Sequence, residues 1–291
     1  MQYAAIDIGT NSCRLLVAQY IDGKLETVYR QTSTNRLGEG LCFTGKINQV
    51  AMQRTVDCLE EYKTIMAKKG VDVFHTIATS AVREADNQEE FIQLLTAKCS
   101  ITPEVISGQR EAELSYSGVK KGWQENNNPL VVDLGGGSTE IIWQDENIFC
   151  ISLPVGAVRA TEALMSAGDI AEVISVLGGY KGQLAKYPLI MVGGTVTSLV
   201  AVKLSLEIYD SAKVHGQILS RFEIADIYNL LATMPLRLRQ RLPGLQPERA
   251  DIIVKGTMIV LMIMDLLGKE EIIVSENDIL AGIIEELHNQ A

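Results

Sequence analysis

One short pattern occurs twice in this chain, in the same register, and that repeat limits the fold more than any other feature. The first copy runs Ala5-Ile6-Asp7-Ile8-Gly9-Thr10-Asn11-Ser12-Cys13-Arg14-Leu15-Leu16, and the second Val131-Val132-Asp133-Leu134-Gly135-Gly136-Gly137-Ser138-Thr139-Glu140-Ile141-Ile142. Asp7 aligns with Asp133, Gly9 with Gly135, Ser12 with Ser138, and Arg14 with Glu140. Each copy reads as an apolar strand, a carboxylate, a tight turn of small residues and a second apolar strand. Backbone N–H groups in such a turn converge on an anion, and glycine lets phosphate oxygens come close. An Asp at the strand end can hold Mg2+ or its water shell, because that ion takes carboxylates together with phosphate oxygens. Two such hairpins in register imply a duplicated fold that grips a phosphate from both sides.

The flanking segments fit two α/β halves. Strands are expected near 3–9, 13–20 and 25–32, with Asp22-Gly23 as a hairpin turn. Met52, Val56, Leu59, Tyr62 and Met66 make a helical stripe that Gly70 ends. A strand follows at 73–78. Asn87 and Glu90 read as a capping box for a helix over 88–99, and Ser107 as the cap of a helix to about 121. The polar run 125–129 reads as a linker, giving halves 1–124 and 125–291, with the C-terminal helix able to pack back on the first. The second half repeats the order: strands near 130–135, 139–144 and 148–153, helices near 155–165 and 170–186, and a strand at 189–192. Helices near 222–234 and 248–268, a strand at 271–274 and a last helix from about 278 complete it. The expected fold is α/β of the actin-like ATPase (ribonuclease H-like) type, two duplicated domains flanking a phosphate-binding cleft. An ordinary doubly wound sheet would not explain two hairpin phosphate loops.

Charge and composition remove other classes. A net charge of −10 argues against general binding to nucleic acid. The five cysteines contain no C-x-x-C pair, which fits reduced thiols in the cytoplasm. Three scattered histidines make no zinc pattern. No signal peptide is expected at the N-terminus. The apolar stretch 252–267 carries Lys255 and Asp265 and reads as a buried helix, so no membrane association is expected. A homodimer is compatible with the sequence.

Several further segments, in order along nearly the whole chain, resemble the exopolyphosphatase/guanosine pentaphosphate phosphohydrolase (Ppx/GppA) family. They are Ala78-Thr79-Ser80-Ala81-Val82-Arg83, Ile106-Ser107-Gly108-Gln109-Arg110-Glu111-Ala112, Asp133 through Glu140, and Ser152-Leu153-Pro154-Val155-Gly156-Ala157. Gly193-Gly194-Thr195, Val214-His215-Gly216 and Pro243-Gly244-Leu245-Gln246-Pro247-Glu248-Arg249 complete the set. One segment departs: the family's Val-Ser-Asp-x-Gly-Leu-Arg-x-Gly is here Val274-Ser275-Glu276-Asn277-Asp278-Ile279-Leu280-Ala281-Gly282. Asp278 thus replaces a glycine and Leu280 an arginine. The chain is similar to short family members without extra helical C-terminal domains.

The resemblance implies a Mg2+-dependent exopolyphosphatase that removes the terminal phosphate of polyphosphate. Guanosine pentaphosphate is the alternative substrate, and an actin-like nucleotide-binding kinase or switch the rival class. It places the catalytic base at Glu111; position alone also allows a dipole-stabilised surface residue. It makes Asp133 and Glu140 metal- or water-positioning carboxylates, with Asp7 repeating the Asp133 position. Arg83 can fork onto phosphate oxygens, while Arg14 can reach the cleft or pair with a carboxylate. Asn11, Ser12, Gly136, Gly137, Ser138 and Thr139 are expected to donate N–H and hydroxyl hydrogens to the phosphates. Gly193-Gly194 reads equally as a nucleotide-proximal turn or a tight connection, and His215 as structural. Arg237, Arg239, Arg241 and Arg249 read as a polyanion guide or a solvated face. Without a longer basic track, an acidic chain is expected to prefer short polyphosphate.

Overall fold

The computed structural model describes residues 1–123, 125 and 127–290. Asn126 of the expected linker and Gln124, the last residue of the expected first half, lie outside them. The chain divides into two compact units, one of Met1–Gly118 with Ile279–Ala291 and one of Val119–Asp278.

The first unit holds strands β1 (Gln2–Ile8), β2 (Ser12–Ile21), β3 (Lys24–Thr34), β4 (Val73–Ala78) and β5 (Glu104–Val105) in the order β3-β2-β1-β4-β5. β1, β2 and β3 are antiparallel neighbours, whereas β4 and β5 run parallel to β1. Asp22 and Gly23 turn the β2–β3 hairpin with φ of 51° and 75°, as a primed turn requires. Helices α1 (Gln49–Lys69), α2 (Ser80–Glu84), α3 (Gln88–Cys99), α4 (Gly108–Gly122) and α10 (Ile279–Gln290) complete the layers around this sheet. The expected stripe of α1 is buried, Asn48 accepts from Ala51 N–H, and Gly70 closes the helix in the left-handed region.

The second unit holds β6 (Leu130–Leu134), β7 (Thr139–Gln144), β8 (Ile148–Leu153), β9 (Leu189–Val192), β10 (Ile218–Ser220) and β11 (Glu271–Val274). Its order, β10-β11-β9-β6-β7-β8, repeats that of the first unit, with β11 in the place of β5 and β10 added at the edge. Helices α5 (Ala157–Glu162), α6 (Ala167–Ile174), α7 (Gly194–Lys203), α8 (Arg221–Thr233) and α9 (Ile253–Leu267) belong here. Each unit is therefore an α/β layer structure of the actin-like, ribonuclease H-like type, as the doubled hairpin implies.

Three expectations need correction. Asn87 starts α3 without a side-chain cap: its amide instead accepts from Ile47 N–H at 2.9 Å and donates to Ile47 C=O at 3.0 Å. Two such bonds, each worth about 1 kcal/mol, outbid one cap. Glu90 meanwhile accepts from Gln49. The helix expected at 170–186 breaks into α6, a 3-10 stretch Ser175–Tyr180 and a single turn Lys181–Leu184, because Gly178-Gly179 disfavours helix. The helix expected from 248 begins at Ile253, preceded by a 3-10 turn at Pro247–Arg249.

Of the departing C-terminal segment, Ile279–Gly282 open α10 and pack in the first unit. Leu280 is 1% exposed and shares a core with Tyr3, Ala5, Leu16, Ile77 and Leu114. A Cβ on Gly282 would lie 2.1 Å from Leu114 O, so α10 crosses α4 with its backbone in contact. An arginine at 280 would have to bury its charge there.

Candidate active site

In the first unit, the C-terminal ends of the three parallel strands lie level: Ile8 pairs with Ala78, and Ala78 with Val105. Loops leaving the carboxyl edge of a parallel sheet are the usual place for a ligand. The first loop closes with Gly9 N–H donating to Ser12 C=O at 3.1 Å. Its next two carbonyls are taken by the chain after β3. Gly38 N–H reaches Thr10 C=O at 2.8 Å and Arg36 N–H reaches Asn11 C=O at 2.9 Å. Asn11 Nδ2 donates to Ser12 Oγ at 3.1 Å.

Asp7 and Arg14 sit directly opposite on β1 and β2. Arg14 donates Nε at 2.9 Å and Nη2 at 2.6 Å, both to Asp7 Oδ2. The carboxylate pair open to Arg14 is therefore formed. Arg83 and Glu111 also meet, 23 and 28 residues' worth of chain being folded back by β5: Arg83 Nη1 donates to Ile106 C=O at 2.8 Å and to Glu111 Oε2 at 3.0 Å. Glu111 lies in the first turn of α4, where Arg110 N–H donates to the capping Ser107 Oγ at 3.2 Å. The base candidate and the phosphate-fork candidate thus form one ion pair, with side chains 13% and 25% exposed.

In the second unit the same turn recurs, Gly135 N–H donating to Ser138 C=O at 3.0 Å. Among the described residues no acceptor takes the N–H of Gly136, Gly137 or Ser138. The cross-strand chemistry, however, is reversed. Asp133 faces Glu140 where Asp7 faces Arg14. Glu140 is 1% exposed and accepts from Ser152 Oγ at 2.8 Å. Thr139 is fully buried and donates its hydroxyl to Val155 C=O at 2.5 Å, which secures the exit of the turn rather than facing a ligand.

The glycines at 193 and 194 have a packing cause. Gly193 has φ 104°, and a Cβ there would lie 2.4 Å from Leu134 O. A Cβ on Gly194 would lie 1.6 Å from the Arg249 guanidinium. This is the tight-connection reading. Gly193→Ala is therefore expected to cost roughly 1–3 kcal/mol through backbone strain and overlap, read as a lowered midpoint in urea. An unchanged midpoint would show that β6 and β9 can part. Arg239, one of the expected surface arginines, points inward, with Nη1 on Ala250 C=O at 2.7 Å and Nη2 on Met234 C=O at 2.9 Å. Burial pushes its guanidinium pKa down. It holds the segment that carries Arg249. His215 Nδ1 accepts from Glu276 N–H at 3.1 Å, a structural tie.

Two phosphate-type loops, an Arg-paired glutamate and a carboxylate pair agree with the comparison to known proteins. The Ppx/GppA phosphatase family pattern matches residues 16–290. The chain belongs to this family. It is accordingly a phosphatase. It is 33% identical to exopolyphosphatase 2 of Mycobacterium tuberculosis over 96% of this chain and 96% of that protein. It is 36% identical to the bifunctional 3-dehydroquinate synthase/phosphatase of Fusobacterium nucleatum over 97% of this chain, but spans only 46% of that longer protein. Among solved structures, the Ppx/GppA enzyme of Aquifex aeolicus matches with a TM-score of 0.80 and 30% identity, covering 98% of this chain and 99% of that one. Among the described residues no helix is long and apolar enough to cross a membrane.

Proposed function

We propose that this phosphatase hydrolyses the terminal phosphoanhydride of inorganic polyphosphate with the help of Mg2+. The observation that carries the reading is the second loop: three N–H groups that no described acceptor takes, beside the cross-strand carboxylate pair Asp133 and Glu140. The N–H groups suit phosphate oxygens. Asp133 and Glu140 suit a hard cation, and Mg2+ needs only one or two carboxylates when phosphate and water fill the other positions. Asp133 and Glu140 would hold Mg2+, which screens the charge of the terminal phosphoryl group. Arg83 orients the Glu111 carboxylate, and Glu111 takes the proton of the attacking water. Asn11 and Ser12 of the first loop, and Gly136, Gly137 and Ser138 of the second, bind phosphate oxygens. Asp7 serves through Arg14, holding a guanidinium at the first loop where the second has Glu140. The names of relatives such as exopolyphosphatase 2 support the substrate class.

Phosphate release from polyphosphate, guanosine pentaphosphate and ATP, measured side by side, tests the reading. Polyphosphate is expected to give the highest kcat/KM, and polymers of about ten units to outrun, per chain end, those of several hundred. A net charge of −10 opposes long polyanions beyond the reach of screening, about 10 Å at 0.1 M salt. Release from guanosine pentaphosphate alone would reassign the substrate, and processive digestion of the long polymer would remove the length argument.

A further inference from the structure

In the second unit every carbonyl of the turn Gly135–Gly137 is taken from one side. Ala157 N–H donates to Gly135 C=O at 3.1 Å, and the N–H groups of Val158 and Arg159 to Gly136 C=O at 2.9 and 3.0 Å. Gly137 C=O accepts from the Arg159 side chain, Nε to O 2.7 Å. Gly156 allows this approach, since a Cβ there would lie 2.5 Å from the Gly136 carbonyl. The first N–H groups of α5 are used in this way, so the six-residue helix itself offers no anion site.

A peptide unit is planar and trans, so its C=O and N–H point in opposite directions. Holding the carbonyl of one residue therefore aims the amide of the next. Gly135 C=O aims the Gly136 N–H, Gly136 C=O aims the Gly137 N–H, and Gly137 C=O aims the Ser138 N–H. These three amides are the ones no described acceptor takes. Two of them are aimed by backbone bonds, which no side-chain change removes. The third depends on Arg159. In the first loop, the amide equivalent to Ser138 is that of Ser12, and there the aiming carbonyl, Asn11 C=O, is held by the backbone of Arg36.

We infer that Arg159 is a positioning residue that aims the Ser138 amide at a bound phosphate oxygen. The inference rests on the proposed phosphate-binding role of the second loop. It makes Arg159 act on affinity and not on proton transfer. The loop would bind phosphate in ground and transition states alike, so loosening one amide is expected to raise KM while leaving kcat nearly intact.

The test compares Arg159→Ala, Arg159→Gln and Arg159→Lys with the wild type by two measurements. With tripolyphosphate, Arg159→Ala is expected to raise KM about tenfold with kcat within about threefold, the scale for losing a charge-assisted hydrogen bond. Arg159→Lys, which keeps a cationic donor, is expected to recover most of that loss. Arg159→Gln keeps a neutral donor and supplies the reading should the alanine variant fold poorly. In the second measurement, inorganic phosphate is titrated against amide-labelled protein. The Ser138 amide resonance is expected to shift in the wild type and much less in Arg159→Ala, while the Gly136 amide shifts equally in both. This arm needs no turnover, so an enzyme inactive on polyphosphate would refute the proposed substrate and leave Arg159 to be judged here. A wild-type KM in Arg159→Ala, or equal loss of the Gly136 and Ser138 responses, would overturn the inference.

Discussion

Replacing Glu111 with glutamine is expected to lower kcat on polyphosphate by roughly 10²-fold or more, with KM changed by less than about threefold. Glutamine has the same shape and retains an oxygen that can accept from Arg83 Nη1, the bond that spans 3.0 Å in the native pair. It cannot take a proton from water at neutral pH. The substitution thus separates the basicity of the carboxylate from its place in the fold. Arg83→Ala is the complementary change. It removes the donor that ties Glu111 to Ile106 C=O, and both kcat and KM are expected to worsen because orientation is lost as well. Rates and midpoints in urea should be measured for both variants. A Glu111→Gln enzyme with near-native kcat and an unchanged midpoint would exclude Glu111 as the base.

The sequence displays the features that are local. A strand–carboxylate–small turn–strand pattern leaves its mark within twelve residues, so both hairpins, the turn at Asp22-Gly23 and the buried stripe of α1 could be read directly. The features it hides come from chain segments far apart. β10 is only three residues, Ile218–Ser220, and exists because it pairs with β11 some fifty residues later. Asn87 looks like a cap until Ile47 is beside it. Arg239 resembles a solvated arginine, yet two carbonyls hold it inward. Arg159 gives no sign of its bond to Gly137 in a local window. One clue was present: the segments after β3 and after β8 occupy equivalent places in the duplicated order, and each contains an arginine, Arg36 and Arg159. Comparing the repeats beyond the loops themselves would have drawn attention to both. Within the twelve-residue pattern, Arg14 and Glu140 mark the one position where the two copies differ in charge.

That difference leads to the second large effect, which joins stability to metal. A like-charged pair directly opposite on neighbouring strands is unfavourable by up to about 1 kcal/mol, and Asp133 faces Glu140 in this way while Glu140 is 1% exposed. A divalent cation held by both would turn the repulsion into binding. Wild-type protein is therefore expected to gain about 2.7 kcal/mol of stability at a Mg2+ concentration one hundred times its Kd, by mass action. Glu140→Gln relieves the repulsion and removes a hard anionic oxygen together. Without Mg2+ it should be no less stable than the wild type, whereas its gain on adding Mg2+ should largely vanish. Hydrolysis by this variant should then demand far more Mg2+, and Asp133→Asn should behave alike. Asp7→Asn offers the contrast, since the partner there is Arg14 at 2.6 Å: it should destabilise the apo protein and leave the response to Mg2+ in place. Thermal melts across a Mg2+ series, with rates from the same samples, read every arm. Full hydrolysis in excess chelator, with a wild-type midpoint indifferent to Mg2+, would remove the metal from Asp133 and Glu140.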